Sequence, residues 1–247
     1  MNKIASLVLA GSLLCINAYA KEAHGSAHWS YEGDTSPIHW GDLDPKYRMC
    51  KEGKNQSPID LNRFVEAKLP KMKIHYAGHA LNVINNGHTI KVNTDDLSKI
   101  TVDGIDFILK QFHFHTPSEN RIEGKSFPME AHFVHLDKDG NIAVIAVMFE
   151  EGEKNKALEK ILNENPKEVG KKIPLRESFN PGELFPNKLD YYRFNGSLTT
   201  PPCTEGVRWL VLKKTVKASK DQIEKMHSIM RNNNRPTQPL NAREVLK

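Results

Sequence analysis

Alternation of apolar and polar side chains dominates the central part of the chain. Seven segments have the pattern of β-strands, with apolar residues at every second position or in short apolar runs. They span residues 89–93, 99–102, 105–115, 129–135, 142–149, 189–194 and 207–212. Asp103-Gly104 and Asp139-Gly140 lie between neighbouring segments, and a glycine after an aspartate accepts the positive φ of a tight turn. These hairpin signals predict a mainly antiparallel sheet.

Two other segments have the 3.6-residue period of amphipathic helices. In residues 154–165 apolar side chains recur three and four positions apart until Pro166 ends the pattern. Ser219 and Gln222 form a capping box ahead of a second apolar stripe. No repeat, low-complexity tract or linker interrupts residues 21–247. The sequence therefore predicts one mostly β domain with a few peripheral helices.

The first twenty residues have the organisation of a secretory signal peptide. Lys3 supplies a positive charge, residues 4–16 are apolar, and the triplet 18–20 fits the small-x-small rule of signal peptidase. A membrane anchor is the alternative, but about 13 apolar residues fall short of the roughly 20 that span a bilayer. We expect cleavage after Ala20, a mature chain that starts at Lys21, and a periplasmic or secreted protein with no membrane span.

The composition excludes several other classes of protein. A hydrophobic content of 38% over 247 residues is ordinary for a globular protein, which argues against a disordered or fibrous chain. The net charge is +5, and the 35 basic and 30 acidic residues are mixed along the chain rather than gathered into blocks. No nucleic-acid partner is therefore expected.

The three cysteines limit the kind of metal site that the chain can build. They are Cys15, Cys50 and Cys203, and none has the Cys-x-x-Cys spacing of a thiolate zinc site. Cys15 is expected to leave with the signal peptide. In an oxidising compartment Cys50 and Cys203 favour a disulfide, which stabilises a fold by about 2 to 5 kcal/mol, and two buried free thiols are the alternative.

Histidines are the remaining candidates for metal ligands, and three of them stand on alternating strands. His113 and His115 are separated by one residue, so their side chains share a face, while Phe112 and Phe114 point to the other. A neighbouring strand can place His132 opposite this pair. Three neutral imidazoles would form an open zinc site whose fourth position is left for water.

A His-x-His pair by itself more often packs in a core or faces solvent than binds metal. Here Gln111 and Glu130 lie two residues before His113 and His132, on the same faces, where they can accept the second imidazole N–H. His135 falls on the opposite face from His132 and is a poor candidate ligand.

Six motifs in a fixed order extend this pattern over nearly the whole mature chain, from His28 to Leu240. They are Gln56-Ser57-Pro58-Ile59, Asn85-Asn86-Gly87-His88, Gln111-Phe112-His113-Phe114-His115, Ser118-Glu119, Glu130-Ala131-His132-Phe133-Val134-His135 and Ser197-Leu198-Thr199-Thr200-Pro201-Pro202. With them the chain resembles the alpha-class carbonic anhydrases. The resemblance implies a large twisted sheet of about ten strands, bound Zn²⁺, and reversible hydration of carbon dioxide to bicarbonate and a proton.

The resemblance also implies roles for individual residues. His113, His115 and His132 would be the zinc ligands, supported by Gln111 and Glu130. The Thr199 hydroxyl would donate to Glu119, and His88 would export the proton. Carbon dioxide would bind against six residues: Val134, Val144, Leu198, Thr199, Thr200 and Trp209. Tyr31 and Thr200 would organise water, and Cys50 and Cys203 would form a disulfide of the kind found in exported members.

Two departures and two alternative functions remain open. Thr116-Pro117 stands where the animal enzymes have Trp-Gly, and Lys91 stands where a neutral polar residue usually orders water in the cleft, so both departures bear on proton export. A zinc-free relative could serve as a binding module, and the same centre could hydrolyse esters, most simply as a side reaction. The sequence does not indicate the oligomeric state.

Overall fold

A computed structural model describes residues 27–247 of the chain, and the expected signal peptide lies outside them. The strands are β1 (Asp60–Leu61), β2 (Phe64–Val65), β3 (Lys73–Tyr76), β4 (Ala80–Asn85), β5 (Ile90–Thr94), β6 (Ser98–Val102), β7 (Ile105–His115), β8 (Arg121–Ile122), β9 (Met129–Leu136), β10 (Ile142–Glu151), β11 (Lys172–Pro174), β12 (Tyr191–Ser197), β13 (Glu205–Leu212), β14 (Val216–Ala218) and β15 (Val245–Leu246). The α-helices are α1 (Trp40–Leu43), α2 (Met49–Glu52), α3 (Lys156–Asn163) and α4 (Lys220–Met230), and 3₁₀ turns span Gly33–Thr35, Pro45–Tyr47 and Pro181–Leu184.

One large sheet organises the described residues. Its strands follow the order β11-β4-β5-β7-β9-β10-β13-β12-β15-β2, while β3, β6 and β14 pair at its sides. The predicted large and mainly antiparallel sheet is confirmed in outline, but the sheet is mixed. Strand β10 pairs in parallel with β13 and with β14, and β15 pairs in parallel with β2. Hairpin signals could not indicate these pairs, because the chain leaves β10 and returns through several other elements before it forms β13.

Both predicted hairpins are present. Asp103 and Gly104 have φ values of 54° and 79° and connect β6 directly to β7. In the second hairpin Gly140 has a φ of 82°, and the Asp137 carboxylate accepts hydrogen bonds from the backbone N–H groups of Asp139 and Asn141. These turns fix the registers of the strands that carry the histidines.

The sheet has two differently filled faces. On one, the main core contains Phe112, Phe114 and Phe133, and helices α3 and α4 contribute buried apolar side chains to it. The capping box of Ser219 and Gln222 begins α4 as predicted, whereas α3 is two residues shorter at each end than its apolar period suggested. The opposite face is left for a second apolar cluster and for the polar residues of the site.

Strand β4 was not predicted, because its side chains do not alternate regularly. A bulge between Ala80 and Asn82 shifts the register, and Leu81 is exposed while Asn82 is buried. Strand β12 also begins two residues later than expected and continues to Ser197. Within residues 27–247 no helix combines the length and apolar character needed to cross a membrane.

Candidate metal centre

Strands β7 and β9 bring His113, His115 and His132 together on the face opposite the main core. His113 and His132 are direct cross-strand partners. One ring nitrogen from each of the three lies within 4.8 Å of the others. The ring centroids are 5.1 Å apart for His113 and His115, 5.4 Å for His113 and His132, and 4.6 Å for His115 and His132. The expected grouping of three imidazoles on two strands is therefore present.

Hydrogen bonds fix which nitrogen of each β7 histidine faces the others. His113 Nδ1 lies 2.9 Å from Gln111 Oε1, as the sequence spacing predicted. His115 Nδ1 lies 2.7 Å from the backbone carbonyl of Asn233. Because both acceptors are oxygens that cannot donate, each Nδ1 carries the proton. The Nε2 lone pairs of both rings are left for a metal.

His132 presents its other nitrogen. Its Nε2 lies 2.8 Å from Glu130 Oε1, so its Nδ1 is the free lone pair. Glu130 is fully buried, and its two carboxylate oxygens also accept hydrogen bonds from Asn120 Nδ2 and from the backbone N–H groups of Glu119 and Asn120. A carboxylate held at four points cannot rotate, so it fixes both the tautomer and the ring plane of His132.

The electrostatic surroundings keep all three rings neutral. Burial is the largest cause that lowers the pKa of each, and the pKa values of His113 and His132 lie well below the ordinary value. A neutral imidazole is the form that binds metal. Among the described residues His115 Nε2 is buried without a hydrogen-bond partner. The three neutral imidazole nitrogens converge, and one of them has no hydrogen-bond partner. This arrangement fits Zn²⁺, which favours nitrogen donors of this type.

Glu119 lies directly beside this centre. Its Oε2 is 3.5 Å from His115 Nε2 and has no hydrogen-bond partner of its own within the described residues, whereas its Oε1 accepts from the backbone N–H of Arg235. Burial raises the pKa of Glu119 to about 8, and interaction with the Thr199 hydroxyl acts in the opposite direction. Tyr31 is close enough for the Glu119 charge to raise the pKa of its phenol, after the larger effect of burial.

Apolar side chains form one side of the centre. Val134, Val144 and Trp209 are consecutive cross-strand partners on β9, β10 and β13, and all three are almost fully buried. Leu198 packs against the same cluster. The Trp209 ring lies 4.9 Å from that of His132. The four residues expected to form an apolar wall therefore share one cluster next to the histidines.

A disulfide joins Cys50 to Cys203 and holds the loop that follows β12. The predicted bridge is confirmed, and the alternative of two free thiols is wrong. The backbone N–H of Cys203 donates to the Thr200 carbonyl. Gln56 Nε2 donates to the Cys203 carbonyl, and Arg235 donates to the Cys50 carbonyl. The bridge therefore fixes both the Thr200 loop and the buried arginine whose amide supports Glu119.

His88 lies on the turn before β5, stacked on Trp29. The two ring centroids are 3.7 Å apart, and the ring planes differ by 8°. Asn86 Oδ1 accepts from the His88 N–H, and the His88 carbonyl accepts from Asn233 Nδ2. The backbone of this histidine is thus fixed, while its half-buried ring rests on an aromatic surface.

His135 is excluded from the centre, as predicted from its face. It is fully buried in the main core, where its Nε2 lies 2.6 Å from the Tyr76 hydroxyl and its Nδ1 lies 3.3 Å from the Ala143 carbonyl. Burial lowers its pKa to about 3.

Three supporting residues were not found from the sequence: Asn120, Asn233 and Arg235. Asn233 donates to the carbonyls of His88 and Phe114, and its side-chain oxygen accepts from the Thr116 N–H. Each of the three stands in a loop without periodic pattern. Their only signal was proximity to motifs that already carried the family resemblance.

Comparison with known proteins agrees with this geometry. A family model described as eukaryotic-type carbonic anhydrase matches residues 35–247. A carbonic anhydrase of Neisseria gonorrhoeae is 49% identical over 238 residues, which cover 95% of this chain and 94% of that protein. The solved alpha-carbonic anhydrase of Thermovibrio ammonificans, in complex with the inhibitor sulfanilamide, superposes with a TM-score of 0.89 at 54% identity, covering 90% of this chain and all of that one. The alpha-carbonic anhydrase of Photobacterium profundum has a TM-score of 0.86 at 49% identity, with coverage of 89% and 100%.

Proposed function

The chain belongs to the eukaryotic-type, or alpha, carbonic anhydrase family, and from this premise we propose that it hydrates carbon dioxide reversibly to bicarbonate and a proton at a zinc ion held by His113, His115 and His132. The observation that carries the proposal is the convergence of three neutral ring nitrogens within 4.8 Å of one another. Two of the three rings have their second nitrogen fixed by Gln111 and Glu130.

Zinc at this position would lower the pKa of a bound water molecule to about 7, the value established for carbonic anhydrase itself, and so supply hydroxide at neutral pH. The donor set suits this task. Three imidazoles add no negative charge, whereas thiolates or carboxylates would offset the charge of the metal. Burial keeps the rings in the neutral form that this requires.

Thr199 and Glu119 are proposed to orient the nucleophile. The positive charge of Zn²⁺ would favour the ionised form of Glu119, and the Thr199 hydroxyl would then donate to this carboxylate, so that the threonine oxygen could only accept a further hydrogen bond. Thr199 would in this way accept a hydrogen bond from hydroxide supplied at the zinc and would orient it toward the substrate. The Arg235 amide, which donates to Glu119 Oε1 over 2.8 Å, holds the carboxylate in place for this role. Tyr31 and Thr200 would organise the surrounding water.

The apolar cluster of Val134, Val144, Leu198 and Trp209 is proposed to bind carbon dioxide. The substrate is neutral and has no hydrogen-bond donor, so an apolar surface next to the metal centre can hold it without fixing it as tightly as a charged site would. Trp209 donates its indole N–H to the Ser197 carbonyl, which fixes the ring beside His132. Ester hydrolysis at the same centre is proposed only as a side reaction.

Each hydration releases a proton, and His88 is proposed to carry it to solvent. An imidazole with a pKa near 6.5 accepts and releases protons at neutral pH. The stacked contact with Trp29 gives the ring a defined resting position, and rotation away from that surface requires no change in the fixed backbone.

We also propose that the protein acts outside the cytoplasm. The Cys50–Cys203 disulfide supports this location, because oxidising compartments are where structural disulfides persist. The twenty-residue signal expected from the sequence is consistent with export. Fractionation of cells that produce the full chain should recover the protein with the periplasm or the medium, and recovery with cytoplasmic markers would contradict this part of the proposal.

Stopped-flow measurement with a pH indicator tests the activity directly. Zinc-loaded protein should accelerate the acidification of a carbon dioxide solution. Protein stripped with a chelator should lose this activity and regain it when zinc is restored. A zinc-loaded protein that shows no acceleration would contradict the proposed enzyme and favour the binding-module alternative.

A further inference from the structure

We propose that Lys91 attracts monovalent anions, including the bicarbonate product, to the metal centre. This inference rests on the proposed function and deepens it, since it assigns a residue that sets the affinity of the centre for its anionic product. It starts from the position of Lys91 in the sheet.

The sheet register places Lys91 beside the first ligand. Lys91 on β5 is the direct partner of His113 on β7, which in turn is the direct partner of His132 on β9. Directly paired residues of antiparallel strands point to the same face, with Cβ atoms about 5 Å apart. Lys91 therefore stands one strand away from His113, on the metal side of the sheet.

The remaining side chains of β5 confirm this orientation. Ile90, Val92 and Thr94 are buried, and the first two belong to the main core on the other face. Lys91 and Asn93 are half-buried, and Asn93 pairs with Gln111, the hydrogen-bond acceptor of His113. The strand thus presents Lys91 and Asn93 toward the centre.

The positive charge of Lys91 acts on this centre. Its ammonium group lies on the metal side of the sheet, one strand from His113, so it favours an anion over a neutral ligand at the centre. Because the lysine is only partly buried, its effect should depend strongly on ionic strength.

The size of the effect follows from the spacing. An ammonium group about 8 Å from a bound anion raises the affinity of the centre for that anion. The factor is about 2 at an effective dielectric constant of about 80 and about 30 at a constant of about 20. For a half-buried side chain at low salt we expect about three- to tenfold. Screening at 0.5 M salt should reduce this to less than about twofold.

The chain offers a matched control in the same row of the sheet. Lys172 on β11 pairs with Ile84 on β4, and Ile84 pairs with Lys91. Lys172 is exposed and stands two strands farther from His113, so it carries the same charge about 10 Å farther away. Lys172→Gln should change anion affinity by less than about twofold.

The test is calorimetric titration of zinc-loaded protein with thiocyanate, an inert monovalent anion, at low and high ionic strength. Lys91→Gln should weaken thiocyanate binding about three- to tenfold at low salt, and Lys91→Arg should keep affinity near that of the unchanged protein. Metal-free protein provides the blank for binding to the lysine alone. Inhibition of hydration by bicarbonate should weaken in Lys91→Gln by a similar factor.

Three results would overturn the inference: an unchanged thiocyanate affinity in Lys91→Gln, an equal loss in Lys172→Gln, or an equal loss in Lys91→Arg. The last would show that shape rather than charge matters. Zinc-loaded protein that binds thiocyanate but does not hydrate carbon dioxide would refute the proposed function alone. Normal hydration with an anion affinity independent of Lys91 would refute the inference alone.

Discussion

His135 should make the protein lose stability in mild acid, because its imidazole is buried in the neutral form. Burial lowers its pKa to about 3, from an ordinary value of 6.5. Unfolding returns the ring to water, so the unfolded chain takes up a proton at a higher pH than the folded chain. The stabilising contribution of the neutral ring is therefore complete above about pH 6.5 and is lost progressively as the pH falls toward 3.

The magnitude follows from these two pKa values. From pH 7 to pH 5 the excess of protons bound by the unfolded state at this position rises from about one quarter to nearly one, which lowers the free energy of unfolding by about 2 kcal/mol. His135→Gln removes the titration. Glutamine can still accept from the Tyr76 hydroxyl and donate to the Ala143 carbonyl, the two groups that now bond the ring. The other buried histidines are present in both proteins, so their effects cancel in the comparison.

Urea unfolding of the zinc-loaded proteins at pH 7 and pH 5 measures this difference. The unchanged protein should lose about 2 kcal/mol more than His135→Gln over this interval. Tyr76→Phe is the matched control, since it removes the hydroxyl partner of the ring but leaves the buried imidazole, and it should retain the full pH dependence. Equal losses in the unchanged protein and in His135→Gln would show that the buried histidine does not control acid stability.

The remaining predictions concern zinc, proton export and the disulfide. His115→Ala should lose stoichiometric zinc by elemental analysis while the exposed His227→Ala keeps it, and full zinc in the first variant would remove His115 from the ligand set. His88→Ala should keep zinc but turn over more slowly, with recovery in imidazole buffer; the absence of recovery would assign proton export to another group. Thiol titration of denatured, unreduced mature protein should find no free thiol. Replacing Cys50 and Cys203 by serine should lower the free energy of unfolding by up to about 5 kcal/mol for a loop of this length. An unchanged unfolding midpoint would contradict a stabilising bridge.

Local rules of the chain were sufficient to predict the strand that carries the ligands. The period of two along β7 placed His113 and His115 on one face and Phe112 in the core, as the structure shows. The same rule excluded His135. Gln111 was found as a hydrogen-bond partner because a spacing of two on a strand is also a spatial contact.

Long-range contacts could not be predicted in this way. His115 finds its acceptor on Asn233, 118 residues later, and no periodic pattern marks that loop. The parallel pairing of β10 with β13 is likewise set by a long excursion of the chain rather than by a turn. In physical terms, residue spacing specifies neighbours on one element or across one hairpin, whereas packing of the whole chain selects the rest.

The position of Asn233 has a consequence for the time at which the centre becomes complete as the chain emerges into the compartment where it folds. A nascent chain that has emerged as far as the end of β13 already contains all three histidines and the sheet neighbours of β7. It still lacks the carbonyl that orients His115 and the amide that ties the His88 turn to that strand. Zinc can therefore bind to an ordered site only after the segment that follows α4 has emerged. By that point the fold around the three histidines is nearly complete.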